Sequence, residues 1–389
     1  MAANDDVSLL IDGKKLSGWK EVRITRGVER VPPDFEFKVT EYYPGEGIFL
    51  ASPGNECQVK IGENLVLTGY VDRHESSLSK RRHDVNLSGR GKTADLVDCS
   101  AYLHDQQNQM NRASARKVIE TICGIYGIKV QAPDGDGKIV PQFNVNLLET
   151  AWNIIDRVAS NSQYLTYENA AGELVFSQIG RQKMASGFVQ GTNVERAHVS
   201  HAYDKRYSRY EAIFTPVENL ADISAALGQA FLNTRGHAND ETIGATKPGT
   251  GRRFRPLILM AEVGQDGTNV AQIRCDWERG RRIGRSQALH VTVSSWRDSA
   301  GRLWEPNTRA PIHIPSLRLP EKEWVISEVT YQKGQDGTHA ELVLMPPDAF
   351  LPQPVLLQAF DADIADEFER DRLLREGGAS RTSGTGPGV

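Results

Sequence analysis

Gly91-Lys92-Thr93 has the closing residues of a phosphate-cradling loop, in which backbone N–H groups and a lysine gather phosphate oxygens. Asn86 stands where the first glycine of such a loop belongs, so the local signature is incomplete. Asp134 and Asp136, set among Gly135 and Gly137, have the opening spacing of a calcium loop but lack its third oxygen ligand and distal Glu. His198 and His201 lie three residues apart, with no cysteine or second histidine pair near them in sequence; that spacing suits a solvated sheet edge better than a zinc site. The chain contains no HExxH, no GxSxG and no complete GxxxxGK(S/T) motif. A carboxylate pair for glycoside cleavage would be invisible among 50 acidic residues, because only the fold sets its separation. These residues predict no catalytic centre, no metal site and no cofactor.

Two cationic groups remain. Lys80-Arg81-Arg82 falls in an expected hairpin tip, and Arg252, Arg253, Arg255, Arg274, Arg279, Arg281, Arg282 and Arg285 crowd the later chain. Arg274, Arg281 and Arg285 recur at helical spacing and would form a cationic face. Such a face contacts nucleic acid or acidic neighbours across a subunit interface, or is solvated and paired with Asp276 and Glu278. No aromatic residues are interleaved as base-stacking platforms, which favours an interface over DNA. The net charge of −4 over 389 residues likewise argues against a chain built to bind nucleic acid. No run approaches 18 apolar residues, so no membrane insertion is expected, and the N-terminus lacks the basic and apolar regions of a signal peptide. Cys57, Cys99, Cys123 and Cys275 show no CxxC spacing and read as buried free thiols.

The elements that must carry these side chains follow from apolar period. Val66 to Asp72 alternates as a half-buried strand, and Val85 and Leu87 resume the period, predicting an antiparallel pair with Arg73 to His83 as its exposed connection. Gly89 and Gly91 end the return strand, and Thr93 to Cys99 reads as a short turn or helix. Segments 7–11, 19–26, 35–40 and 57–62 also read as strands, with Val31-Pro32-Pro33-Asp34 as a loop. From about residue 101 the period changes. Val118, Ile119, Ile122 and Ile125 share one helical face; Ala151, Trp152, Ile155, Val158 and Ala159 share a second. A hairpin over 164–176 turns at Asn169-Ala170-Ala171-Gly172. Short strands return over 181–217, a helix is expected over 220–232, and 233–250 reads as a long mobile loop. Val270 to Arg285 reads as a helix and 287–345 as strands again. The Gly-Gln-Asp-Gly-Thr run at 264–268 recurs at 334–338 and suits tight hairpin turns. Leu357, Phe360, Ile364 and Phe368 sit at helical spacing among acids, in a segment that docks on a partner or folds back on its own domain; 377–389 reads as disordered.

The run Gly89-Arg90-Gly91-Lys92-Thr93-Ala94-Asp95-Leu96-Val97-Asp98-Cys99-Ser100 opens a wider pattern. It continues with Gly172-Glu173-Leu174-Val175-Phe176, Arg253-Phe254-Arg255-Pro256-Leu257 and Trp277-Glu278-Arg279. Trp296, Leu303-Trp304-Glu305-Pro306-Asn307 and Leu344-Met345-Pro346-Pro347-Asp348-Ala349-Phe350 complete it. With these motifs in this order, the chain resembles the baseplate hub proteins of Mu-type contractile phage tails, whose relatives form the upper part of type VI secretion spikes. The strand and helix pattern predicts an α+β fold, mainly β. The resemblance implies two tube-protein-like β-barrel domains, an α+β insert domain and a smaller linking region. The expected divisions are 1–100 for the first barrel (with strands from 181–217 as a further contribution), 101–180 for the insert, 181–250 for connecting strands, helix and loop, 251–352 for the second barrel, and 353–389 for the amphipathic helix and tail. The resemblance further implies a homotrimer joining a hexameric tail tube protein to a trimeric central spike protein beside other baseplate proteins, with DNA passing through a central channel. Its place would be the virion tail baseplate, after assembly in the host cytoplasm. The rival expectation is a tail-associated peptidoglycan hydrolase.

Overall fold

The computed structural model describes residues 5–41, 51–80, 82–101, 109–146, 148–214, 235–261, 270–319 and 321–353. The first β region supplies β1 (Val7–Ile11), β2 (Lys14–Leu16), β3 (Glu21–Gly27), β4 (Asp34–Glu41), β5 (Glu56–Ile61), β6 (Asn64–Ser79) and β7 (Arg82–Gly91). Its alternation is physical: Phe35 and Phe37 of β4 are fully buried while Asp34, Glu36 and Lys38 turn outward. The expected connection from Arg73 to His83 is strand for most of its length. Arg73 pairs with Ser88 and Ser79 with Arg82, so the hairpin turns only at its tip. Both faces of this arm are largely exposed, which is why its polar composition does not oppose pairing.

The insert contains α1 (Ala94–Asp98), β8 (Gln109–Ser114), α2 (Ala115–Ile125), β9 (Val130–Gln131), β10 (Ile139–Asn144), α3 (Ala151–Ser162), β11 (Leu165–Glu168) and β12 (Leu174–Ser177). Ser114 and Thr150 cap α2 and α3, accepting from the Lys117 and Asn153 N–H groups. The apolar stripes meet in a core built on Val118, Ile119, Ile122, Ile154, Ile155, Val158 and Phe176. Ile125, at the frayed end of α2, is exposed.

Next come β13 (Gln182–Lys183), β14 (Phe188–Val189), β15 (Val194–His201), β16 (Arg209–Phe214), β17 (Arg235–Asn239), β18 (Pro256–Ala261) and α4 (Val270–Arg285). The chain then forms β19 (Gln287–Val293), β20 (Thr308–His313), β21 (Lys322–Gly334) and β22 (Gly337–Met345). The Gln335-Asp336 turn joins β21 to β22 as its composition predicts; the earlier Gly-Gln-Asp-Gly-Thr copy lies outside the described residues. So do the helix expected at 220–232 and the segment from 354 onward.

Fourteen strands form one sheet, ordered β15-β19-β22-β21-β3-β4-β7-β6-β5-β1-β2, with β20 beside β21 and β13 and β14 beside β20. The expected mainly-β, α+β architecture is present. Its two β regions are joined directly: Glu328 to Lys333 of β21 pair antiparallel with Gly27 to Val22 of β3. One hydrophobic core runs through both, from Leu9, Ile24 and Phe37 to Trp296, Trp304, Trp324 and Tyr331. In β21 a bulge between Ile326 and Glu328 shifts the phase, so Trp324 and Ile326 above it and Val329 and Tyr331 below it all reach this core. Among the described residues the pairings close no ring.

Three placements differ from the sequence expectation. The strands at 182–201 pair with β19 and β20 rather than with the first β region. Within the expected loop at 233–250, β17 pairs with β16. Its loop-like glycine, Gly236, is a packing residue, because a Cβ there would lie 2.2 Å from the Ala271 carbonyl oxygen of α4. The segment 256–285, expected to open the second barrel, instead gives β18 and α4 to the separate sheet β17-β16-β18. That sheet has its own small core around Tyr210, Ala212, Ala238, Ala271 and Cys275. No helix among the described residues is long and apolar enough to cross a membrane.

Because one core serves both β regions, Phe37→Ala is expected to destabilise them together, by about 3–5 kcal/mol. Urea unfolding followed by tryptophan fluorescence and by circular dichroism should then shift as one transition. A mutant in which the later half unfolds at its original midpoint contradicts the shared core.

Candidate functional site

The would-be phosphate loop is a cradle already filled by the chain itself. Gly91, Lys92 and Thr93 leave the end of β7 and enclose the carboxylate of Glu168, the last residue of β11. Lys92 N–H donates to Glu168 Oε1 at 3.1 Å, Thr93 N–H donates to Oε2 at 2.9 Å, and the Thr93 hydroxyl donates to the same oxygen. A Cβ on Gly91 would lie 2.2 Å from Glu168 Oε1, so glycine there is a condition of the fit. The Lys92 ammonium turns away to Glu56 at 2.6 Å. Burial pushes the Glu168 carboxyl up to about 7, against the opposing pull of the Thr93 and Lys92 donors and the Arg26 guanidinium. Nothing in the sequence near Glu168 marks it; only the glycine pattern on the other side of the contact is legible.

Two further contacts complete this joint between insert and sheet. Thr68 Oγ1 donates to the Ala170 carbonyl at 2.9 Å across the β11–β12 turn. Asn307 accepts from the Gly180 N–H at 2.6 Å, and its Nδ2 lies within hydrogen-bonding reach of Ser177 Oγ, the Gln178 carbonyl and the Tyr167 hydroxyl. Asn307 has φ 62°, a left-handed conformation that asparagine tolerates better than most residues. On the other face of β21, Val325 packs with Val28, Leu165 and Phe350. The Trp-Glu-Pro-Asn and Pro-Pro-Asp-Ala-Phe motifs are therefore joint and core residues. Trp296 and Trp304 are buried and donate to the His339 and Ser295 carbonyls.

Most of the arginine group is bonded within the chain, although Arg252, Arg253 and Arg285 are exposed. On α4, Arg282 bonds Glu278 at 2.6 Å, Arg279 pairs with Asp276 at 3.3 Å, and Arg281 and Arg285 converge on Glu29. Arg281 and Arg274 also lie over the Trp277 ring. Arg255 donates to the Arg206 and Asp204 carbonyls, and Arg252 to that of Glu241. Arg206 and Asp240 form a buried pair at 2.6 Å. The pairing with Asp276 and Glu278 weighed from the sequence is thus present, and the cations chiefly hold the small sheet and α4 to their neighbours.

The remaining candidates are separated by the fold. Asp134 accepts from the Gln178 N–H and pairs with Arg181, while Asp136 pairs with Arg116. His198 and His201 lie on β15, where an odd spacing sends neighbours to opposite faces; His198 faces His290 across the strand pair with ring centroids 6.4 Å apart. Lys80 is exposed at the hairpin tip, and Arg81 lies outside the described residues. Cys57, Cys123 and Cys275 are buried, and burial raises their thiols to about 12, 12 and 11. Cys99 departs from expectation and is exposed, at the end of the short helix α1. The outward face of the main sheet carries paired charges, Glu21 and Lys38 among them lining two shallow hollows. Arg23 and Arg30 share Asp34, Arg30 reaches Glu328 across β3 and β21, and Lys38 pairs with Glu21.

Residues 6–91 match the family model of the Mu phage baseplate assembly protein GpP-like N-terminal domain. Residues 93–178 match the second domain of gp44-like baseplate hub proteins, and 267–353 match the fourth domain of Mu phage baseplate assembly protein GpP. The chain is 28% identical to baseplate hub protein gp44 of Escherichia phage Mu over 381 residues, covering 97% of this chain and 93% of that one. It is similar in structure to the 43 kDa tail protein of prophage MuSo2 from Shewanella oneidensis, with TM-score 0.75, 27% identity, and coverage of 89% and 99%. A tail protein from Neisseria meningitidis shares the fold with TM-score 0.71 at 18% identity, covering 90% of this chain and 98% of the other.

Two measurements test the cradle. Glu168 is raised from its ordinary 4.5 to about 7, so across that window the folded chain keeps a proton that the unfolded chain releases. Stability should therefore fall as pH rises through the window, by up to about 3 kcal/mol, and Glu168→Gln should flatten that slope. An identical slope in wild type and variant contradicts the raised carboxyl. Gly91→Ala should expel the carboxylate and speed amide exchange over 165–177; unchanged exchange contradicts the tight fit.

Proposed function

Because the chain belongs to the family of Mu-type baseplate hub proteins, we propose that it forms the trimeric adaptor between the hexameric tail tube and the trimeric central spike of a contractile phage tail. It is a structural baseplate hub of a Mu-like tail and not an enzyme, so the peptidoglycan hydrolase alternative is set aside.

The observation that carries the adaptor reading is the doubled β framework in one chain. Seven strands, β1 to β7, stand on one side of the β3–β21 pairing, and seven more, β13 to β15 with β19 to β22, stand on the other. In this reading each half is a tube-protein-like barrel unit, the first within 1–100 and the second built from the later strands. The 101–180 insert is fastened at the Glu168 joint. Three copies then offer six comparable walls to the tube and a threefold axis to the spike, which resolves the symmetry mismatch. A common core between the halves resists their sliding, as suits a part driven along with the tube when the sheath contracts.

Its partners in this reading are two further copies of itself, the tail tube protein, the central spike protein and other baseplate proteins. DNA passes through the channel of the ring. The outward sheet face is compatible with that passage: Arg23, Arg30 and Lys38 on it are paired with Asp34 and Glu21, which leaves these cations less free to hold phosphates. The protein would assemble in the host cytoplasm and reside in the virion tail baseplate.

Light scattering during gel filtration is expected to give three times the 43.1 kDa chain mass, and images of the particle a ring with a sixfold-like outline. A chain that stays monomeric at high concentration and joins neither tube nor spike protein would sink the reading.

A further inference from the structure

Two histidines far apart in sequence stand opposite each other at one end of the main sheet. The strand order begins with β15, whose register sets His198 against His290 of β19. Alternation fixes the side on which they stand. Ala197 and Val199 of β15 and Leu289 and Val291 of β19 pack on the hydrophobic core, so the two imidazoles project from the outward face. Both residues are exposed, and their ring centroids lie 6.4 Å apart at an interplanar angle of 36°. Other histidines are engaged differently. His339 bonds Glu195 and the Asp336 carbonyl, and His313 pairs with Glu321. His201 stands opposite Gln287, three residues beyond His198 and so on the other face of β15.

Directly opposed residues of an antiparallel pair have Cβ atoms about 4.5–5.5 Å apart, within the span of two side chains that meet on one ion. Bonds from a metal ion to imidazole nitrogen are about 2.0–2.1 Å, so two rings sharing an ion hold their coordinating nitrogens about 3 Å apart and their centroids about 5 Å apart. Closing from 6.4 Å takes small turns about side-chain torsions, which exposed residues make on the fastest timescales of the molecule. We propose that His198 and His290 form a two-imidazole site for a divalent first-row transition-metal ion, of the nickel, copper or zinc class that suits imidazole ligands. Among the described residues no third histidine, cysteine or carboxylate completes a metal-binding group with them, so the ion keeps its other positions for water. The next row of the face is Arg196, Thr292 and Glu341, one cation balanced by one acid, and Ser200 and Ala288 flank the pair on its other side. Bound there, the ion ties the outermost strand of the sheet to its neighbour from the solvent side, while Val199 and Leu289 hold the same pair from the core side.

Calorimetric titration of the full-length protein with Ni2+ tests the site. One ion per chain should bind, and His198→Ala and His290→Ala should each weaken it by about tenfold or more, while His201→Ala leaves it unchanged. Both side chains are exposed, so neither substitution removes core packing. Because the ligand nitrogens must be unprotonated, binding should also weaken several-fold between about pH 7.5 and about pH 5.5. Cu2+ gives a second readout in a chain whose exposed cysteine is removed by Cys99→Ser. Its electron paramagnetic resonance spectrum should show two coordinated histidine nitrogens, and one in either single variant. With Ni2+ present, amides of 194–201 should exchange about threefold or more slowly, and His290→Ala, on the neighbouring strand, should abolish that effect. Equal affinity in the unsubstituted chain and both variants, or a copper spectrum with a single nitrogen, overturns the proposal in favour of scattered binding at single histidines. A loss in His201→Ala as large as that in His198→Ala overturns it equally.

Discussion

The pairing of β3 with β21 is the constraint on which the rest depends. It brings Val22 to Gly27 beside Glu328 to Lys333, about three hundred residues apart in sequence, and converts two β regions into one sheet. Thr25 and Thr330 meet across it at 3.2 Å, and Arg30 bridges Asp34 and Glu328 on its outward face. Without it, the shared core would be split along the line between Ile24 and Tyr331, and each half would expose an unpaired strand edge.

Everything else is fastened around that pairing. The insert reaches the first β region through the Glu168 cradle and the later one through Asn307, so its hairpin touches both. Beside the β3 end, Val28 and Val325 pack against Leu165 and Phe350, which places the insert and the last described turn on the same side of the sheet. The same neighbourhood contains Glu29, where two arginines of α4 converge. Sheet, insert and small α/β unit are therefore held by a short list of polar contacts, of which the Glu168 and Asn307 contacts are buried or partly buried and the Glu29 pairs are exposed. The buried ones are costly to break, because a buried donor or acceptor left alone costs about 1–3 kcal/mol.

This arrangement also explains why motifs suggestive of chemistry carry none. A loop of N–H groups at Gly91 to Thr93 can hold an anion, and the chain supplies Glu168 to it. A cluster of arginines can hold phosphate, and the chain supplies Asp276, Glu278, Glu29 and several carbonyls. Here groups that could serve a ligand elsewhere fix the shape of the chain itself. The family's role as a structural baseplate protein is consistent with such use.

Much of the local structure was legible in the residues themselves. The period-two runs of β4, β6 and β7, the apolar stripes of α2 and α3, the turn at 335–336 and the helix at 270–285 follow from side-chain spacing, because neighbours on one element select its face. The order of short motifs likewise pointed to the hub family. Long-range choices were not legible. That 182–201 pair with β19 and β20, that Gly236 marks a packing contact rather than a loop, that 256–285 leave the main sheet, and that Glu168 fills the Gly91 cradle all rest on contacts between distant segments. Strand faces are written locally, but strand partners are decided by which distant edges fit and bury together, and that choice exists only in three dimensions.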